Sequence, residues 1–306
     1  MNRVAGLMER YKSKPCANIE PMLYWCAERE SIRQKKEVGL VPPWTSDEIL
    51  TTYRFCNMRR RDDRVSRWLV NNLLANINNR FSEWSFIQMV ALGRWINWPP
   101  TLIVMRDEGL WPRSELNLEE IGEFLDTLDN KVWTGAYMIR APSEGYRGMG
   151  KGSFISSIVV GKGLESVRPA LLQAIKDQSL EGTWKALSEA LYWGSFMSQQ
   201  VTSDLSYTPL LRFPRDLFTW AAVGPGSARG FNRLMGRSLT TAINETEWLS
   251  ILIEWRAQII SKLGPAYEDL PLTDVTNVLC EVDKYLRVKN GEGRPRSIYR
   301  SHAGLY

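Results

Sequence analysis

The chain has 306 residues, 44% hydrophobic and 24% charged, with 39 Lys+Arg against 34 Asp+Glu for a formal net charge of +5. Its single histidine, His302, leaves little room for a Ser-His-Asp, Cys-His or imidazole-zinc site. The four cysteines, Cys16, Cys26, Cys56 and Cys280, form no CxxC pair, which argues against zinc and iron-sulfur sites and for free, mostly core thiols in a reducing compartment.

Acid-base chemistry therefore falls to Asp, Glu, Lys or Tyr. A sequence pI near 9.0 favours an anionic partner, because positive charge raises its local concentration. Residues 1–14 carry no apolar stretch of signal-peptide length and no later run suits a membrane span, so a soluble, intracellular protein is expected.

In chain order, Val65, Trp68, Leu69, Leu73 and Leu74 fall on one face of a helix over Asp63 to Asn76. Trp84 to Ile96 is helical and apolar nearly all round, the pattern of a buried helix. Leu118 to Leu128 has Asn117 as N-cap, with Glu119 and Glu120 where the helix dipole favours them. Residues 141–163 are rich in Gly, Ser and Lys and read as a loop between an N-terminal lobe (1–140) and a C-terminal lobe (164–306), with a short strand over Phe154 to Val160. Inside it, Gly145 to Gly152 has the glycine and lysine spacing of a phosphate-binding loop, but Gly152 stands where the magnesium-binding hydroxyl belongs. Further helices fit Glu165–Asp177, Thr183–Ser198, Pro214–Ala222, Ser227–Gly236, Glu245–Leu263 and Thr273–Val288, so the class is mostly α.

The most informative short motif runs from Leu217 to Phe231, two helical stretches joined by Gly224-Pro225-Gly226, with Gly230 placed for close packing. Backbone N–H groups of Gly224, Gly226 and Ser227, with Arg229, would suit a DNA phosphate. A glycine helix cap followed by a new helix explains the same residues. Upstream, Ser198-Gln199-Gln200 resembles the helix that helps line the base pocket of helix-hairpin-helix DNA glycosylases, and downstream Leu272 to Val278 resembles the segment carrying their catalytic aspartate, here Asp274. A helix-hairpin-helix glycosylase-like fold with two lobes is the expected architecture. Ala228 occupies the position of the lysine of glycosylase-lyases, so lyase chemistry is not expected.

Two longer constellations carry a closer resemblance. The first comprises Trp25 to Arg33, Val41 to Leu50 and Tyr53 to Arg64; the second comprises Leu279 to Arg287 and Gly291 to Arg296. Both resemble the α-glutamyl/putrescinyl thymine pyrophosphorylases, also described as amino acid:DNA transferases, and the helical domain of 5-hydroxymethyluracil DNA kinases. The resemblance implies a phage enzyme, acting in the cytoplasm of an infected bacterium. It would let an amino acid or amine displace phosphate or pyrophosphate from modified 5-hydroxymethyluracil in double-stranded DNA. Its co-substrate would be an amino acid or polyamine with no other cofactor and no metal, and a 5-hydroxymethyluracil DNA kinase would be a candidate partner.

Such a reaction needs a cationic cradle, a base for the incoming ammonium and a pocket for a flipped base. Arg54, Arg60 and Arg64 are the cradle candidates, with Arg60 and Arg64 at helical spacing; pairing with Asp62, Asp63 and Glu28 is the structural alternative. Asp274 is the candidate base, unless it is only a helix N-cap, with Glu281, Asp283, Lys284 and Glu28 as further catalytic candidates. Asn277, Glu281 and Lys284 would share a helix face. Gln199, Gln200, Asn57, Asn277, Trp44 and Tyr53 are base-pocket candidates, although a polar helix face and ordinary core packing account for several of them. A monofunctional glycosylase, and a non-catalytic DNA-binding partner of the kinase, are the alternative functions.

Overall fold

The computed structural model describes residues 18–73, 81–295 and 298–299. Cys16, Leu74, Asn76, Arg296, Arg300 and His302 lie outside the described residues. The chain divides into two compact units: residues 1–63 with 217–306, and residues 64–216. The segment 141–163 lies inside the second unit.

The first unit contains α1 (Glu20–Glu37), α2 (Glu48–Thr52), α12 (Pro225–Leu234), α13 (Glu245–Leu263) and α14 (Leu272–Lys289). Trp25, Phe231, Trp248, Trp255, Val275 and Leu279 are among its buried core. α12 packs on α14 with almost no space between backbones. A Cβ on Gly230 would overlap the Leu279 carbonyl, and one on Gly226 would overlap the Cys280 thiol. Asp283 of α14 then binds Arg229 at 3.1 Å and Arg233 at 3.2 Å, both on α12.

The second unit contains α3 (Arg64–Leu73), α4 (Glu83–Ile96), α5 (Pro99–Asp107), α6 (Leu118–Thr127), α7 (Lys151–Ser153), a π-helix (Phe154–Lys162), α8 (Gly163–Glu165), α9 (Arg168–Lys176), α10 (Leu180–Glu189) and α11 (Ser195–Leu205). α4 is buried over nearly its whole length, as its apolar pattern demands. The one charge in its last turn, Arg94, is 4% exposed and held bidentately by Asp204 of α11 at 2.5 and 2.7 Å, with Asn97 and Ser66 accepting two more of its N–H groups.

The chain is mostly helical, with no strand among the described residues. Asn117 caps α6 by accepting from the Glu120 amide, and Glu245–Leu263 is helical at the expected bounds. Four expectations are corrected. Phe154 to Val160 is helical: the segment is buried against α4 and α6, where a lone strand would leave its backbone groups unmet and a helix meets them internally.

Thr183 to Ser198 divides into α10 and α11, because Tyr192 takes a left-handed φ of 67° and Trp193 turns inward to donate to the Val159 carbonyl at 2.8 Å. The stretch Pro214 to Ala222 forms no helix. Its groups serve tertiary partners instead: Asp216 caps α10 through the Leu180 and Glu181 amides, and the carbonyls of Leu217 and Ala221 accept from Leu272 and Trp248. Of the three thiols among the described residues, Cys26 is buried but Cys56 and Cys280 are exposed, so among these the expected core placement holds for Cys26 alone.

The Gly145–Gly152 segment has a physical explanation. Its helix start is already occupied by an anion, the Asp126 carboxylate, which accepts from the Gly152 amide at 2.5 Å and from the Ser153 amide and hydroxyl at 3.0 and 2.7 Å. A side chain at Gly150 would collide with that carboxylate.

Asp204→Ala leaves a buried guanidinium without its counter-charge and is expected to lower unfolding stability by about 3–5 kcal/mol in denaturant titration. Gly230→Ala, which forces α12 off the α14 backbone, is expected to cost about 2 kcal/mol or more.

Candidate active site

Where α14 begins, in the first unit, the chain buries a carboxyl group. Pro271 precedes the helix and Asp274 lies in its first turn, 2% exposed, with its backbone amide donating to the Pro271 carbonyl. Burial pushes the Asp274 carboxyl up to about 7, and the charge of Asp63 adds to the rise; the Arg60 amide, at 3.4 Å, and the Arg60 charge offset part of it. Asp274 is not the N-cap residue of this helix, whose cap is Pro271.

Arg60 belongs to a 3₁₀ turn, Arg60–Asp62, and is 5% exposed. The next residue, Asp63, is extended, and Arg64 starts α3 in the second unit. The expected shared helix face of Arg60 and Arg64 is therefore corrected, because the helix does not run through this stretch. Arg64 is exposed, whereas Arg60 is buried close to carboxylates.

The turn is held from several sides. Asp63 accepts from the Asn57 amide at 2.7 Å, and Asn57 donates from Nδ2 to the Asp62 carbonyl at 2.8 Å. Arg29 of α1, 8% exposed, donates to the Asn57 Oδ1 at 2.7 Å and to the Cys56 carbonyl at 2.9 Å. Burial raises the Asp63 carboxyl to about 6, against the pull of the Asn57 amide. Arg59 binds Asp269 at 2.5 Å and stacks over Tyr267.

Two turns further along α14 begins the second group of candidates. Glu281 accepts from the Cys56 amide at 3.0 Å and pairs with Lys284 at 2.6 Å. Lys284 also donates to the Arg54 carbonyl at 3.1 Å and sits 4.6 Å above the Phe55 ring. Arg54 itself is exposed, and Asn277 is half-buried. Asp283 faces Arg229 and Arg233, on the α12 side, and so serves the packing of the two helices.

Glu28 accepts from the Thr45 hydroxyl at 2.6 Å. Asp47 caps α2 and accepts from Tyr24 and Tyr285, tying the Trp44–Tyr53 stretch to α1 and α14. Trp44 is half-buried; its indole donates to the Leu40 carbonyl, and Lys36 lies over its ring at 4.5 Å. Tyr53 pairs through its backbone with Ile298.

At the head of α12, the Ser227 hydroxyl both accepts from the Gly224 amide and donates to the Gly224 carbonyl, closing the turn on itself. Neither Gly224 nor Gly226 has a positive φ; Gly226 is required for its closeness to α14. Gln199 and Gln200 lie in the second unit, both buried on α11, and both carboxamide atoms of Gln199 lack a hydrogen-bond partner among the described residues. Sequence reasoning treated Asp63 only as an ion-pair partner and did not single out Arg29. The run Arg59-Arg60-Arg61-Asp62-Asp63-Arg64 hides which acid turns inward, because adjacent charges look alike until the chain is folded.

A family model described as the helical domain of 5-hmdU DNA kinase matches residues 17–294, and the chain belongs to that family. It is 33% identical over 61 residues to a 5-hmdU DNA kinase of Bacillus phage SP10, a match that covers 20% of this chain and 10% of the phage protein. No solved structure matches the chain. No helix among the described residues is long and apolar enough to cross a membrane, and no group of three or more His, Cys, Asp or Glu among them could hold a metal ion.

The raised Asp274 carboxyl has a thermodynamic signature. Its folded value lies above its unfolded one, so the stability it confers is fully present below about pH 4 and is lost as the pH rises through about 7. Asp274→Asn, which does not titrate, is expected to be more stable than the parent above pH 7, by up to roughly 4 kcal/mol, with the gap closing toward pH 4. Denaturant titrations across this range check it. A parent more stable than the variant at pH 8 would make Asp274 a structural ion-pair partner.

Proposed function

We propose that this chain is a DNA hypermodification enzyme that transfers an amino acid or amine onto phosphorylated or pyrophosphorylated 5-hydroxymethyluracil in double-stranded DNA. The observation that carries the reading is the buried Asp274 beside Arg60 and Asp63, a carboxyl group held near neutrality. An amine nucleophile must lose a proton before or as it attacks. A carboxylate with a pKa near the working pH accepts that proton far better than an ordinary aspartate does.

In this reading the nitrogen attacks the exocyclic methylene, the carbon–oxygen bond to phosphate breaks, and the proton of the ammonium passes to Asp274, which is as buried as Arg60 and is reached only when the Arg60–Asp62 turn moves aside. Phosphate or pyrophosphate leaves with the bonding electron pair. Arg60 limits how far the Asp274 carboxyl rises. The exposed Arg54 is the better placed candidate for holding the leaving group, since the buried Arg60 cannot reach a phosphate without movement. Lys284, fixed by Glu281 and the Arg54 carbonyl, keeps one N–H for an anionic group.

Membership in the kinase helical-domain family supports a substrate in hydroxymethyluracil DNA, and the phage relative is named a 5-hmdU DNA kinase. A nucleotide-binding loop in this chain is disfavoured by Asp126, whose carboxylate fills the helix start where a phosphate would bind. Asp274 in the first turn of α14 fits a glycosylase-like ancestry, whereas the stretch Pro214 to Ala222, which would be the first helix of the hairpin, is not helical.

The test is incubation of the chain with DNA carrying phosphorylated 5-hydroxymethyluracil and a panel of amino acids and polyamines, followed by digestion and mass spectrometry. An aminomethyl-linked nucleoside is expected, and Asp274→Asn is expected to bind DNA while losing at least about 100-fold in transfer. Phosphate release without a new nucleoside contradicts the transferase reading. Abasic sites would make the chain a glycosylase instead.

A further inference from the structure

The C-terminal end of α1 carries apolar side chains into solvent on a rigid base. Gly39 has a φ of 76°, and the amides of Gly39 and Leu40 donate to the carbonyls of Lys36 and Lys35, a helix-ending turn that fixes the path of the chain. In such a turn the apolar residue after the glycine ordinarily packs back on the helix. Here the residue it would cover is Lys35, whose ammonium instead donates to the Trp44 carbonyl at 2.7 Å. The Trp44 indole donates in turn to the Leu40 carbonyl at 2.6 Å, closing the loop from the far side.

The result is a knuckle with Val38 74%, Leu40 55% and Val41 83% exposed, followed by exposed Pro42 and Pro43. Rigidly presented aliphatic groups of this kind are unfavourable in water unless something covers them. Two cations, Lys35 and Lys36, stand half-buried at the root, and the nearby acid Glu37 pairs at 2.5 Å with Arg33, an arginine that it shares with Glu30.

We propose that the knuckle from Val38 to Pro43 is a wedge that enters an opened base step of duplex DNA, with Lys35 and Lys36 turning from the Trp44 carbonyl and the Trp44 and Tyr299 rings to the flanking phosphates. It rests on the DNA substrate of the preceding section. Short branched side chains on a stiff turn can occupy the space between unstacked bases, and cations at the root suit the backbone on either side.

Duplex DNA carrying 2-aminopurine reports unstacking as a rise in fluorescence. The full chain is expected to produce that rise. The double variant Leu40→Ala, Val41→Ser, whose side chains are exposed and whose thermal melting should match the parent, is expected to bind the duplex with a similar salt dependence but at least about threefold less fluorescence rise. Equal rises in both proteins, or binding by the parent with no rise, would overturn the wedge and leave the transferase reading intact. Failure of the parent to bind duplex DNA would overturn both. Concentration-dependent self-association that the double variant abolishes, with unchanged fluorescence, would show that the knuckle covers a second copy of the chain and overturn the wedge.

Discussion

The burial of one carboxyl group at the start of α14 is the constraint on which the candidate site depends. An aspartate that is 2% exposed is costly to ionise, and the neighbouring Asp63 adds repulsion. Arg60 offsets part of this penalty, enough to keep the carboxyl titrating near neutral pH. An asparagine there would accept the same Arg60 amide without the cost of ionising above pH 7, so the arrangement is explained by chemistry more readily than by stability.

Much of the first unit holds that group in place. Arg29 and Asn57 grip the turn that carries Arg60 and Asp63, while Glu281 and Lys284 hold the preceding strand of chain from Arg54 to Cys56. On the other side of α14, Gly226 and Gly230 let α12 approach until backbone meets backbone, and Asp283 locks the pair through Arg229 and Arg233. Of the carboxylates on α14, then, Asp283 is engaged in packing and Glu281 in positioning the loop, while burial shifts the proton equilibrium of Asp274.

How much of this was legible in the sequence follows from what each signal encodes. Apolar periodicity located α4, α6, α13 and α14, because those helices bury a stripe or a whole surface. It failed at Phe154 to Val160, where β-branched residues favour a strand but the described residues offer no partner strand, and at Pro214 to Ala222, where tertiary acceptors and donors displaced a local helix. Asp274 was found by resemblance, and no spacing rule could have shown that it is buried. Asp63 and Arg29 were not legible, because their roles arise from contacts between residues far apart in the chain. The phosphate-loop lookalike could be doubted from Gly152 alone, yet the reason for its glycines, the Asp126 carboxylate, lies 26 residues away.

Carbon-13 NMR of the protein labelled at aspartate carboxyls, with Asp274 assigned by its loss in Asp274→Asn, measures the central quantity directly. The account predicts a carboxyl that titrates near pH 7, well above the ordinary aspartate range. An Asp274 that titrates near pH 4 would contradict it.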